Sequence, residues 1–164
     1  MIWRVANRAH PVAVGIADRH YNRQKPGTPQ FVPPGSCLVL LSTDNLSVWV
    51  SSRPFAEYVK HAWAGAWMNT TFRREGGPLL ASEMILEALA VTRGQWGDPP
   101  PLGMVTFVDA SKVRHKRDPG RCYIKAGFRR VGRTKGGLDA LQLLPGEWPG
   151  AATAINETEA LFVL

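Results

Sequence analysis

Two hydrophobic periods divide the chain. Cys37–Leu41 is an unbroken apolar run, and Leu46–Ser51 alternates, with Val48 and Val50 set against Ser47, Trp49 and Ser51. With Thr43-Asp44-Asn45 between them, the two stretches predict a β-hairpin. Ala66–Phe72 carries Trp67, Thr70, Thr71 and Phe72 and predicts a further strand that starts as early as Trp63. The period then changes. Ala81, Ile85, Ala88, Leu89 and Thr92 recur at helical spacing. They predict a helix over Leu79–Trp96, with Pro78 in the first helical position and Gly94 as its stop. Gly103–Val108 is nearly all apolar, as a central strand is. A strand–helix–strand unit over 66–108 demands a parallel pair joined by a crossover helix.

The flanks complete an α/β order. Ile2–Ala6 reads as a short opening strand. Pro11 opens a helix with Val12, Ala13, Ile16 and Ala17 inward, which reaches Asp18-Arg19-His20-Tyr21 and ends near Asn22. Lys25–Gly35 is a proline- and glycine-rich loop able to lie over a site. Ser52–His61 reads as a link or short helix. Arg121–Ala126 predicts a short helix stopped by Gly127, and Phe128–Thr134 and Leu138–Leu144 predict two closing strands. Pro145–Leu164 is weakly patterned, with Leu161–Leu164 as a docked strand or a frayed end. The expectation is a single domain over 1–164. Its sheet is mixed, mostly antiparallel and twisted, with flanking helices around the central strand–helix–strand unit.

Composition narrows the function. At 164 residues, 45% hydrophobic and 20% charged, the chain fits one folded domain. No apolar run is long enough to span a membrane, and Met1-Ile2-Trp3-Arg4 lacks the apolar core of a secretion signal, so no membrane partner and a cytoplasmic location are expected. Two cysteines, Cys37 and Cys122, are too few for a disulfide framework and lack metal-cluster spacing. The net charge is +7, and ten of the 20 Lys and Arg residues lie between Lys112 and Lys135, opposed there only by Asp118. No basic residue follows Lys135. This asymmetry points to a polyanionic partner, either nucleic acid or a phosphate-bearing cofactor. Lys112, Arg114, Lys116, Arg117, Arg121 and Lys125 are the candidate DNA contacts.

Chemistry concentrates at a few positions. Phe72-Arg73-Arg74-Glu75-Gly76-Gly77-Pro78 is a basic glycine turn before a helix. Free helix N–H groups, the helix dipole and two guanidiniums make Arg73, Arg74, Gly76, Gly77 and Leu79 a candidate anion site. Glu75 is expected to brace the turn through Arg73 or Arg74. His20 and Tyr21 are candidates for a base or a metal ligand. Ser82 could contact a ligand, Asp109 could orient an amine, and Asp118 could accept a proton. Each has a plainer reading: a tolerated helical serine, a helix cap, and an ion pair with Arg117 or Arg121. Trp63, Trp67 and Trp96 read as core, although one exposed aromatic near the basic face could stack on an extruded base, and Cys122 reads as packing.

This order of elements, with these residues, resembles the GNAT acyltransferase fold over roughly 36–144. Arg73-Arg74-Glu75-Gly76-Gly77-Pro78 is similar to that family's pyrophosphate loop, although Pro78 stands where a final Gly or Ala is usual. Arg121-Cys122-Tyr123-Ile124-Lys125-Ala126-Gly127-Phe128 is similar to its closing helix, in which a tyrosine often protonates the leaving thiolate. Tyr123 holds that position. Arg19-His20-Tyr21, the Phe-Arg-Arg-Glu turn, Ser82 and the basic Asp-Pro-Gly-Arg segment also resemble phage Mom-type DNA modification proteins. That GNAT-like group is implicated in adding a carbamoylmethyl group to the N6 amine of adenine. The resemblance implies catalytic roles among His20, Tyr21, Ser82, Asp118 and Tyr123. It also implies acetyl-CoA or a related acyl donor, iron near the His20–Tyr21 pair, double-stranded DNA as partner, and the host cytoplasm for a phage-encoded chain. It leaves the oligomeric state open. Two other readings remain: an acetyl-CoA-dependent N-acetyltransferase acting on a protein or small amine, and a non-catalytic nucleic-acid-binding module.

Overall fold

The computed structural model describes residues 1–20, 26–28, 35–112 and 120–156. Tyr21, Arg114, Lys116, Arg117, Asp118, the run Leu161–Leu164 and most of the 25–35 loop lie outside the described residues.

The strands are β1 (Trp3–Ala6), β2 (Gly35–Ser42), β3 (Ser47–Pro54), β4 (Trp67–Arg74), β5 (Met104–Val108), β6 (Arg129–Arg133) and β7 (Asp139–Leu143). The helices are α1 (Pro11–Asp18), α2 (Ala81–Trp96) and α3 (Arg121–Lys125). The strands form one sheet in the order β1-β2-β3-β4-β5-β7-β6. Every pairing is antiparallel except β4–β5, which is parallel and bridged by α2. The α/β class, the mixed and mostly antiparallel sheet, and the strand–helix–strand unit are therefore present as the periodicity predicts.

The unbroken apolar run in β2 has a direct cause: the sheet is covered on both faces. Leu38 and Leu40 face α2 and α3, in a core with Trp3, Trp49, Trp67, Met84, Leu89, Phe128 and Leu141. Val39 and Leu41 face α1, with Ala13, Ile16, Val48 and Val50.

Several predicted boundaries move. α1 ends at Asp18 with Arg19 as its cap, so Arg19 and His20 follow the helix instead of lying in it. α2 begins at Ala81, capped by Leu80, so Pro78 precedes the helix instead of opening it. The Arg74 guanidinium donates to Gly77 O (2.8 Å) and Leu79 O (3.0 Å), carbonyls that a helix starting at Pro78 would have drawn into its own ladder. Gly94 lies inside α2, which runs on to Trp96 and ends at Gly97, whose φ of 84° suits a glycine cap. Gly94 serves close approach instead, because a Cβ there would stand 2.3 Å from Ala152 O. The weakly patterned tail is thereby explained. After β7 it crosses α2, where Ala152 N–H donates to Ala90 O (3.0 Å), and reaches β1, where Ile155 N–H donates to Trp3 O (2.9 Å). Finally, β4 starts at Trp67, and the residues before it form a loop with a 3-10 turn at Ala56–Tyr58.

Candidate active site between two parting strands

β4 and β5 pair only at Trp67↔Met104, Met68↔Val105 and Asn69↔Thr106. Beyond that point β4 stays with β3 as far as Arg74, while β5 stays with β7 as far as Val108. The two strands diverge toward their C-terminal ends, the side on which open α/β sheets place their ligands.

Local chemistry sets the parting point. The β3–β4 register shifts between Val50 and Ser51, leaving Thr70 as the extra residue of a bulge, and bulges bend the strand that carries them. Asn69 spans the bulge. Its Nδ2 donates to Val50 O (3.0 Å) and Thr71 O (2.9 Å). The Thr106 hydroxyl lies 3.0 Å from Asn69 O and 3.2 Å from its Oδ1, and shares its proton between them. The Tyr123 hydroxyl donates to the same Oδ1 at 2.5 Å. Asn69 is buried with all its hydrogen-bonding capacity placed, which is what a buried amide requires.

α3 delivers Tyr123 to this point. Gly120 opens the helix at φ 80°, a left-handed conformation that favours glycine, and a Cβ there would press on Leu141 Cδ1 at 2.8 Å. The Tyr123 ring is buried against Trp49, Phe72 and Phe128. Between the parted strands lies a cavity of about 220 Å³, lined by His20, Asn69, Thr71, Phe72, Arg74, Ala81, Thr106, Val108, Cys122 and Tyr123 among others. Its described lining includes no carboxylate.

The glycine turn beside it is held closed. Glu75 takes a two-pronged bond from Arg19 (Nε to Oε2 2.6 Å, Nη2 to Oε1 2.7 Å) and a third bond from Arg73 Nε (2.7 Å). The hydrogen bonds from Arg19, then those from Arg73, bring the Glu75 pKa from its ordinary 4.5 to about 2, against the opposing effect of burial. This bridge pins the end of α1 to the turn and so brings His20 to the cavity. Arg74 is occupied with Gly77 O and Leu79 O. On the other side, a Cβ on Gly77 would lie 2.7 Å from Asp44 Oδ2, a carboxylate that accepts from Ser42 Oγ (2.6 Å) and Leu46 N (3.1 Å).

The structure thus brings His20, Arg74 and Tyr123 together. Ser82 sits half-buried in the first turn of α2, and Ala81 lines the cavity in its place. Arg73, Gly76, Gly77 and Leu79 form the closed turn. Asp109 accepts from Ser111 N (3.0 Å) and Ser111 Oγ (2.6 Å), the cap of the 3-10 turn Ala110–Lys112. Arg121 and Lys125 are exposed on α3. Two features escaped the sequence reading. Asn69 is one; a lone amide inside an aromatic and β-branched strand was its signal. The other is the edge position of β6, which leaves Arg129, Arg130 and Arg133 of the predicted basic run exposed beside α3.

Among the described residues, no group of three or more His, Cys, Asp and Glu side chains could hold a metal ion. No described helix is long and apolar enough to cross a membrane. Comparison with protein-family models, curated proteins and solved structures returns no match.

Proposed function

We propose that the chain is a GNAT-like group transferase of the Mom type, which transfers a small carbamoylmethyl or other acyl-derived group to the N6 amine of adenine in DNA. The observation that carries this reading is the opening between β4 and β5, with the Tyr123 hydroxyl and His20 at its wall and no carboxylate in its described lining. A neutral amine suits such a lining. A cationic amine, the acceptor of an ordinary N-acetyltransferase, would call for carboxylates there. The basic run around α3 and β6 supports nucleic acid as the carrier of that amine.

An exocyclic adenine amine is a weak nucleophile shielded in the duplex, so the base is taken out of the stack. Its nitrogen then attacks the electrophilic carbon of the donor. A new N–C bond forms and the leaving group departs with its electron pair. The amine proton passes to a base, for which His20 is positioned at the cavity wall. Tyr123 O–H returns a proton to the leaving group. Asn69 and Thr106 orient the tyrosine. Tyr21 and Asp118 remain further candidates for the base, outside the described residues.

The turn does not fit a coenzyme A diphosphate. Both arginines are engaged within the turn, Pro78 removes an N–H, and the Asp44 and Glu75 carboxylates stand beside the glycines. The donor is therefore proposed to be a small activated compound held in the cavity itself, with Arg74 at its lip. Iron has no better support, because no group of three or more His, Cys, Asp and Glu side chains among the described residues could hold a metal ion.

The test is expression in a bacterial host beside a Tyr123→Phe variant, with plasmid DNA digested to nucleosides for mass spectrometry. The expected result is a new adenine species whose added mass names the transferred group, reduced by about 10²-fold or more in the variant. Unmodified DNA from folded, soluble wild-type protein would overturn the reading.

A further inference from the structure

A second and larger cavity lies on the opposite face of the sheet from α2. It measures about 780 Å³ and is bounded by the loop before β4 and by the turn that joins β6 to β7. Its walls are aromatic: Phe55, Tyr58, His61, Trp63 and Phe107. Phe107 also lines the opening between β4 and β5, so the two cavities adjoin.

Three observations bear on its occupant. First, Phe55 and Tyr58 are 53% and 71% exposed, edge to face at 6.1 Å, at the rim of an apolar cleft. Exposed aromatics of this size mark a binding surface when they border a cavity. Second, the charges at the cleft are of one sign. Among the described residues Lys60, Arg133 and Lys135 line it and no carboxylate does, although Arg133 is paired with Asp139 outside it. Third, His61 in the wall lacks an acceptor. Trp63 N–H donates to its Nδ1 (3.0 Å), so the neutral ring carries its proton on Nε2. That Nε2 is buried with no hydrogen-bond partner among the described residues, and burial lowers the His61 pKa, which keeps the ring neutral.

We infer that this cleft holds an unstacked nucleobase of a nucleic-acid strand, with the base between the aromatic walls and its phosphate on Lys60 and Lys135. The inference rests on the nucleic-acid reading above and adds to it a separate base-holding site beside the reaction cavity. A flat π-face suits aromatic walls, and a phosphate suits a cationic rim with no carboxylate among the described residues. An acyl chain would use the walls but not the cations. An acidic peptide would use the cations but not the walls.

The experiment measures binding of a short single-stranded oligodeoxyadenylate and of an abasic strand of equal length, across salt concentrations. It uses wild type, Tyr58→Ala, Phe55→Ala and Lys135→Ala, with circular dichroism to confirm that each is folded. Wild type is expected to bind the base-containing strand at least about tenfold more tightly than the abasic one. The aromatic variants lose that preference and keep the abasic affinity. Lys135→Ala weakens both strands and lowers the salt slope by about 0.7. Equal binding of both strands by wild type, or an unchanged preference in both aromatic variants, overturns the base-holding site while the nucleic-acid reading stands. Failure to bind either strand while a duplex is still bound overturns the base-holding site alone, and failure to bind the duplex as well overturns both.

Discussion

The Tyr123 hydroxyl donates to Asn69 Oδ1 at 2.5 Å, joining α3 to β4 across 54 residues of sequence. The same asparagine bridges the β4 bulge through its amide nitrogen. One side chain therefore shapes the strand that opens the cavity and orients the hydroxyl that faces into it.

These two roles separate on mutation. Tyr123→Phe keeps the ring among Trp49, Phe72 and Phe128 and removes one donor to Asn69, so the stability loss is about 1 kcal/mol. Asn69→Ala strands the carbonyls of Val50 and Thr71 and the hydroxyl of Tyr123, and costs about 3 kcal/mol. Urea denaturation of both variants measures the contrast. Equal losses would show that the amide does not hold the bulge.

Glu75 makes stability depend on pH in a stated direction. Its pKa is about 2 in the folded protein, below its ordinary 4.5, because Arg19 and Arg73 hydrogen-bond the charged form. A depressed carboxylate pKa gives stability that is complete above the unfolded pKa and is lost as pH falls through the folded one. The loss should therefore run from near pH 4.5 down to about pH 2. Glu75→Gln should lower stability by about 1 kcal/mol at pH 7, where the bridge is formed, and by almost nothing below pH 2. Thermal melts of both proteins across this range test it. A constant difference at all pH values would mean that the ion pairs contribute nothing.

The sequence carried the sheet and its parallel pair because both follow from periodicity, which is local. Leu38–Leu41 is apolar on both faces, Met104–Val108 is so except at Thr106, and α2 repeats at 3.6 residues. The closed turn was not legible in the same way. Glycines next to arginines suggest an anion site, and only the fold reveals that Arg73 faces Glu75, that Arg74 turns back on Gly77 O and Leu79 O, and that Asp44 from another hairpin fills the approach to Gly77. Asn69 was hidden for a related reason: its partners at Val50, Thr106 and Tyr123 are distant in sequence. Gly94 misled because glycine ends helices often, whereas here it clears space for a strap that arrives 58 residues later at Ala152.

That contact gives an inverted expectation. In an exposed helix interior, Gly→Ala stabilises by about 1 kcal/mol. At Gly94 the new Cβ would stand 2.3 Å from a backbone carbonyl that cannot rotate away. Gly94→Ala should lift the strap off α2, break the Ala152 N–H to Ala90 O bond, and destabilise by about 2 kcal/mol. Hydrogen exchange at Ala152 and a denaturation curve read both effects. A stabilised variant would show that the strap does not bear on the helix.

The basic surface around α3 can be tested without any knowledge of the reaction. Arg121 and Lys125 are exposed and have no carboxylate partner among the described residues, so both charges are available to phosphate. Arg133 on β6 is tied to Asp139 at 2.9 Å, and Arg129 lies 3.7 Å from Glu147, so each would have to share or leave its partner. Counterion release makes the salt slope of duplex binding fall by about 0.9 for each phosphate contact removed. The double variant Arg121→Ala, Lys125→Ala should flatten that slope by nearly 2, and Arg129→Ala, Arg133→Ala by clearly less. Fluorescence anisotropy with a short duplex over a salt series measures both. If β6 carries the larger share, phosphate takes Arg129 and Arg133 from Glu147 and Asp139, and the edge strand rather than α3 tracks the DNA backbone.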